Sequence, residues 1–233
     1  MIDSGSVLPD PVPSGREVIA RVTTPTGEWQ LQRRGEHYEI ICNGIFLMAT
    51  YNRESDRRLA QLPLARLADR GLRVLVGGLG IGYTLEAALE DSRVQQVDVV
   101  EIEPLIVDWH RQFFAALCHS PCDDPRTRVI VADLFDVSLP ARTYDAVLLD
   151  TDNGPDWLVN PANARIYSSE GIRYFLDALV PGGILAYWSA DRAPDFDSTL
   201  TRVAGHVDEI EVVDEIAPGR SGSAWLYLAG RGT

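Results

Sequence analysis

The 233-residue chain contains no lysine; all 21 of its basic residues are arginine. That absence excludes Schiff-base chemistry on a lysine amine and the phosphate-gripping lysine of a P-loop. Cysteine is scarce. Cys42, Cys118 and Cys122 are a small, odd set, which argues against a disulfide framework. Cys118-His119 with Cys122 lacks an evident fourth metal ligand, so the plainer reading is a loop with incidental thiols and no metal. No apolar run is long enough to span a bilayer. The first residues carry acids where a signal peptide has a basic segment, so a cytoplasmic protein with no membrane partner is expected. Positive charge is also short. The net charge of −13 disfavours nucleic acid as a partner, because phosphate neutralisation needs a basic surface. A cationic small molecule suits it, although most of the charge reads as solvated surface.

What is present suffices for a sizeable core: 45% of the residues are hydrophobic. The pattern predicts a flexible lead over residues 1–15, a small antiparallel β-domain over 16–52 and an α/β domain over 53–233. In the second segment, short apolar runs are punctuated by Pro25-Thr26-Gly27, Arg34-Gly35-Glu36 and Asn43-Gly44. From residue 72 onward, strands at 74–76, 97–100, 128–132, 145–149 and 184–188 alternate with helices. The helices are predicted over 104–117, 169–179 and 194–206, with another before the first strand over 52–70. A terminal hairpin is predicted over 210–229. Such alternation implies a doubly wound, mostly parallel sheet, with seven strands in all, and an antiparallel strand from the hairpin.

The chemistry concentrates at one stretch. Val74-Leu75-Val76 is followed at once by Gly78, Gly80 and Gly82, then by a helix, then by a strand that ends on Glu101. Glycines between a strand and a helix admit close approach of a ligand, and an acid at the next strand end can accept from vicinal ribose hydroxyls. Asp133 and Asp150 follow two further strands, and ligands of such sheets sit beyond the carboxyl ends of the strands. Any single acid after a strand is better explained as a cap or turn residue; four strand ends in register argue for a site. The segment after Asp150 continues Thr151-Asp152-Asn153 and reaches Tyr167. Its Asn153, Trp157, Asn163, Arg165 and Tyr167 form either a lid over an acceptor or a packed surface loop whose Trp157 is simply buried.

The runs RVLVGGLGIGYTLE, VVEIEP, VADLFD, YDAVLLD and VPGGILA, in this order, resemble the successive motifs of spermidine synthases, aminopropyltransferases with the class I S-adenosylmethionine-dependent methyltransferase fold. The resemblance implies a transferase of polyamine type. Its co-substrate would be S-adenosylmethionine or the decarboxylated form, held by Gly78, Gly80 and Gly82, by Glu101 at the ribose and by Asp133 at the adenine. It further implies Asp150 as the acid that receives and helps deprotonate an amine, with Asp152 as a second acid, and Asn153, Trp157 and Tyr167 near the acceptor. A small-molecule acceptor and a homodimer are the expected partners. There are departures. Ile81 stands where the family's loop has an acid for the donor's amino group, and Arg57-Arg58 lies where a tyrosine–histidine pair is usual. The acceptor is therefore expected not to be an ordinary diamine. Methyl transfer from the same site and a non-catalytic nucleoside-binding protein are the alternatives.

Overall fold

The computed structural model describes residues 15–232; the lead expected over 1–15 lies outside them except for Gly15. The described residues form two compact units that divide between Thr50 and Tyr51. The first contains a four-stranded antiparallel meander, β1 (Arg16–Thr24), β2 (Gly27–Arg34), β3 (His37–Cys42) and β4 (Ile45–Ala49), in sequential order. Leu31 and Ile40 face each other across β2 and β3 and are fully buried. Asn43 and Gly44 both take positive φ, 52° and 77°, which is the twist that a two-residue hairpin turn requires.

The second unit is the α/β domain that the alternation predicts. Its strands are β5 (Leu72–Gly77), β6 (Val94–Glu101), β7 (Thr127–Val131), β8 (Tyr144–Leu149), β9 (Leu179–Ser189), β10 (Val207–Ala217) and β11 (Arg220–Gly230). They lie in the order β10-β11-β9-β8-β5-β6-β7, and only β11 runs against its neighbours. Val74, Leu75 and Val76, with Ala146, Val147 and Leu148, are fully buried, as expected of parallel strands covered on both faces. The helices are α1 (Glu54–Ala65), α2 (Tyr83–Glu90), α3 (Pro104–Trp109), α4 (Ser169–Ala178) and α5 (Pro194–Ala204). None of the described helices is long and apolar enough to cross a membrane.

Three sequence expectations are refined. The helix predicted over 104–117 is regular only to Trp109; a π turn (His110–Phe114) and a 3₁₀ turn (Ala115–Cys118) continue it. The strand predicted over 184–188 begins earlier, at Leu179, with Pro181-Gly182-Gly183 inside it as a register irregularity against β8. Helix α1 is shorter than residues 52–70, and Pro63 lies in its last turn.

Helix α1 has no cap of its own: Arg53 precedes it and makes no side-chain cap bond. Asp214 of β10 supplies one from far along the chain. One carboxylate oxygen accepts from the amides of Arg53 (3.3 Å) and Glu54 (3.2 Å), the other from the Ser55 amide (2.7 Å) and hydroxyl (2.6 Å). Four donors at a helix start are thereby satisfied by one buried acid. Asp214→Ala should therefore destabilise the fold by about 2 kcal/mol, the upper range for loss of a cap. That corresponds to a fall in melting temperature of roughly 4–8 °C for a chain of this size, measurable by thermal unfolding followed by circular dichroism.

Candidate active site

The glycine loop follows β5 directly, and all three of its glycines have positive φ. Gly78 is the tightest. A Cβ there would lie 1.9 Å from the Asp150 carbonyl oxygen, so only glycine allows β5 and β8 to end this close together. The Asp150 amide donates to the Gly77 carbonyl, and the Gly78 amide to the Val100 carbonyl, each at 2.8 Å. Three strand ends are thus tied at one point.

Glu101 is buried at the end of β6. One oxygen accepts from the Leu79 amide (2.9 Å) and the other from the Glu103 amide (2.8 Å). Burial raises its pKa, and these amides oppose the rise. Glu101 therefore shapes the glycine loop while its carboxylate retains lone pairs for further donors. Beneath the loop, the π turn aims fully buried His110 at Ile81, whose carbonyl accepts from Nδ1 at 2.9 Å. Burial lowers the His110 pKa, so the ring is neutral with its proton on Nδ1. The Cys118 thiol, pushed up to about 12 by burial, reaches the same carbonyl at 3.4 Å. It is an inert packing group. His119 instead pairs with Glu86.

Asp150 lies just beyond β8. Its Oδ2 accepts from the Thr84 hydroxyl at 2.9 Å, and that hydroxyl also lies 3.2 Å from the Asp56 carbonyl oxygen. Burial raises the Asp150 pKa to about 6, against the lowering effect of Thr84. Asp56 is pushed well above the usual carboxylate range, first by burial and then by the charges of Asp150 and Asp214. Burial of two carboxyls, one at a strand end and one in the first turn of α1, favours their protonated forms to higher pH than in water. Sequence reading missed Asp56 because nothing in its local pattern separates it from an exposed helix acid.

The other residues picked from sequence divide clearly. Asp152 is buried, and donors of its own loop surround it: the amides of Asn153 (2.8 Å), Val159 (2.8 Å) and Asn160 (3.2 Å) and the Asn163 side chain (2.8 Å). It organises the loop. Asn153 is buried and its carbonyl accepts from the Ala190 amide at 2.9 Å. Tyr167 is core, packed edge-on against Phe196 with ring centroids 5.3 Å apart. Trp157 is 44% exposed, which rules out the simply buried packing residue. Asp133 takes the Phe135 amide at 2.9 Å on one oxygen and the Arg165 guanidinium on the other. Arg165 also stacks over the Phe135 ring, 4.5 Å from its centroid.

The arginines of α1 are compensated. Arg57 pairs with Glu86 (2.8 Å) and Glu90 (2.5 Å), and Arg58 with Glu54 (2.6 Å). Buried Glu86, in the first turn of α2, also receives Arg53 at 3.1 Å and His119 at 2.7 Å. On the flank of α1, a groove of about 510 Å³ is lined by Arg53, Arg57, Asp214 and their neighbours. Glu101, Asp133 and Asp150 do not border it.

This framework is that of a known group. Residues 55–193 match the spermine/spermidine synthase domain, more than half of the chain, and the chain belongs to that family. A polyamine aminopropyltransferase of Mycobacterium tuberculosis is 28% identical over 172 residues, which are 72% of this chain and 32% of that protein. Putrescine N-methyltransferase 2 of Nicotiana tabacum is 30% identical over 129 residues, 54% of this chain and 35% of that protein. The chain thus spans about a third of the length of these relatives. In fold it is similar to a crystal structure of spermidine synthase in complex with the transition state analogue AdoDATO. The TM-score is 0.77 at 18% identity, covering 93% of this chain and 74% of the other. Spermidine synthase from Thermotoga maritima gives 0.74 at 18% identity, covering 93% and 73%.

If Asp152 organises the loop, Asp152→Ala should free the segment that follows it. Losing hydrogen bonds of about 1 kcal/mol each raises the opened population, so trypsin should cut after Arg165 about ten-fold faster or more. Mass-mapped limited proteolysis of parent and variant measures this, and equal rates would return Asp152 to the candidates for direct chemistry.

Proposed function

We propose that the protein transfers an alkyl group from an S-adenosyl sulfonium donor to an amine of polyamine type, with Asp150 as the acid that receives the amine. The single observation that carries this reading is Asp150 itself: partly buried, raised to about 6, held by Thr84 and adjoining the glycine loop. The residues fit such a donor. Glu101 and Asp133 are acceptors matched to vicinal hydroxyls and an exocyclic amine, and they stand on neighbouring strands beyond the loop. In this reading Asp133 shares its carboxylate between the adenine and Arg165. Trp157 and Asn153 border the acceptor, while Asp152 and Tyr167 serve by holding the loop.

The chemistry asked of the protein is modest. The amine lone pair forms a bond to the carbon beside sulfur, the C–S bond breaks, and its electron pair returns to sulfur as a neutral thioether. The amine's proton passes to the Asp150 carboxylate. An ammonium has no lone pair to attack with, so a nearby group with a pKa near neutrality serves both to hold the cation and to accept its proton. The sulfonium is already activated, and in-line positioning supplies much of the rest.

Aminopropyl transfer follows the polyamine aminopropyltransferase relative. Methyl transfer is the second reading, favoured by the similarity to putrescine N-methyltransferase.

Asp150→Asn tests the proposal on three measurements. Turnover should fall 10²–10⁴-fold, roughly 3–5 kcal/mol of barrier, with methylthioadenosine affinity retained; turnover at the parent rate would remove Asp150 from the chemistry. In the parent, turnover should rise with pH through about 6. Stability has the opposite slope. A carboxyl whose folded pKa is raised favours the fold fully below its ordinary 3.8, and that contribution is lost as pH rises through about 6. The variant should therefore melt higher than the parent at pH 7.5 and no higher at pH 4.

A further inference from the structure

The order β8-β5-β6-β7 lines up four strand ends: Asp150, the glycine loop, Glu101 and Asp133. Adjacent strands are about 4.8 Å apart. A nucleoside held by Glu101 and Asp133 occupies one end of this row. Whatever extends from its 5′ carbon must then run the other way, over the loop toward β8 and the first turns of α1 and α2. This direction for the tail rests on the nucleoside reading proposed above.

The charges met there include a cation as well as acids, more than a tail that carries only an ammonium calls for. The loop contributes apolar Leu79 and Ile81, both buried, and no acid. Helix α2 begins at Tyr83 with no side-chain cap, so the amides and dipole of its first turn are electropositive. Arg53 lies over the Tyr83 ring, 5.1 Å from the centroid, and its side chain is 45% exposed. Its ionic partner, Glu86, is shared with Arg57 and His119. Arg57 is met by Glu90 as well, and Arg53 reaches Glu86 through Nη2 alone, which leaves its other guanidinium donors to spare. Three residues on, within reach on the same helical turn, is Asp56, whose carboxyl interacts with that of Asp150. A cation and an acid one turn apart match the carboxylate and ammonium of an α-amino acid.

We propose that Arg53 takes the α-carboxylate of the donor's amino-acid tail while Asp56 receives its ammonium, so that the intact S-adenosylmethionine, not its decarboxylated form, is the preferred donor. Arg53 is then a specificity-determining residue, not a catalytic one.

Calorimetry on the full chain with three probes decides this: S-adenosylhomocysteine, its decarboxylated analogue, and methylthioadenosine, which has no charged tail. The parent should bind S-adenosylhomocysteine about ten-fold or more tighter than the decarboxylated analogue, as loss of a charge-assisted bidentate contact implies. Arg53→Gln should erase that preference and leave methylthioadenosine affinity within about two-fold, because only the tail contact is removed. Arg58→Gln, which alters an exposed pair with Glu54, should change neither. Equal affinity of the parent for the two tailed ligands overturns the proposal without any variant. So does a preference that survives in Arg53→Gln. Should that variant not fold, Arg53→Lys keeps the charge without the planar fork, and an unreduced preference there overturns the proposal equally. Failure of the parent to bind even methylthioadenosine would overturn both this inference and the nucleoside reading. Methylthioadenosine binding with no tail preference would overturn the inference alone.

Discussion

The approach of Gly78 to the Asp150 carbonyl is the constraint on which the rest of the site depends. A single added carbon would lie 1.9 Å from that oxygen. Because no carbon is there, β5 and β8 end side by side, and the Asp150 amide on the Gly77 carbonyl with the Gly78 amide on the Val100 carbonyl bring three strands to one point. The Asp150 side chain is then close enough to α2 for Thr84 to hold it, and Thr84 also reaches the first turn of α1. Two helices and two strands are thereby indexed to one backbone contact. Precision of that kind belongs to rigid elements, where positioning of reacting groups is kept best.

Around this point the charges are sorted by burial. Glu86, nearly removed from solvent, collects Arg53, Arg57 and His119, and so gathers these side chains at the start of α2. Asp56 and Asp150 retain no such cation among their principal influences, and burial keeps protons on both to higher pH, helped at Asp56 by the charges of Asp150 and Asp214. A lysine-free chain suits this division. Guanidinium groups stay charged in partly buried surroundings and offer several donors in a plane, so one buried carboxylate can be shared by two of them. The loop after Asp150 follows a similar economy, with Asp152 satisfying four donors from within one segment.

Much of this was legible in the residue order because it is local. A β-branched apolar run followed by closely spaced glycines and a helix describes a tight strand-to-helix turn wherever it occurs. The alternation after residue 72 requires crossovers and hence a parallel sheet, and the Asn43-Gly44 turn specifies its own hairpin. Family motifs carried this further, to the carboxyl ends of the strands. The helix over 104–117 was misjudged for a local reason as well: its apolar spacing continues past Trp109, while the π turn there answers to His110 seeking the Ile81 carbonyl.

By itself, then, the sequence determined which strands and helices exist, that their sheet is mainly parallel, and where the glycine loop and the strand-end acids fall. Only the tertiary structure decided what each acid does. Asp214 caps a helix whose residue Ser55 is 159 positions earlier in the chain, Asp133 meets Arg165, Thr84 holds Asp150, and Asp152 turns inward to its loop. The physical reason is the sheet order, which places β5 between β6 and β8 and sends β10 to the far edge. A carboxylate's role follows from the donors, charges and solvent around it, and in this fold those neighbours come from strands and helices far apart in the chain.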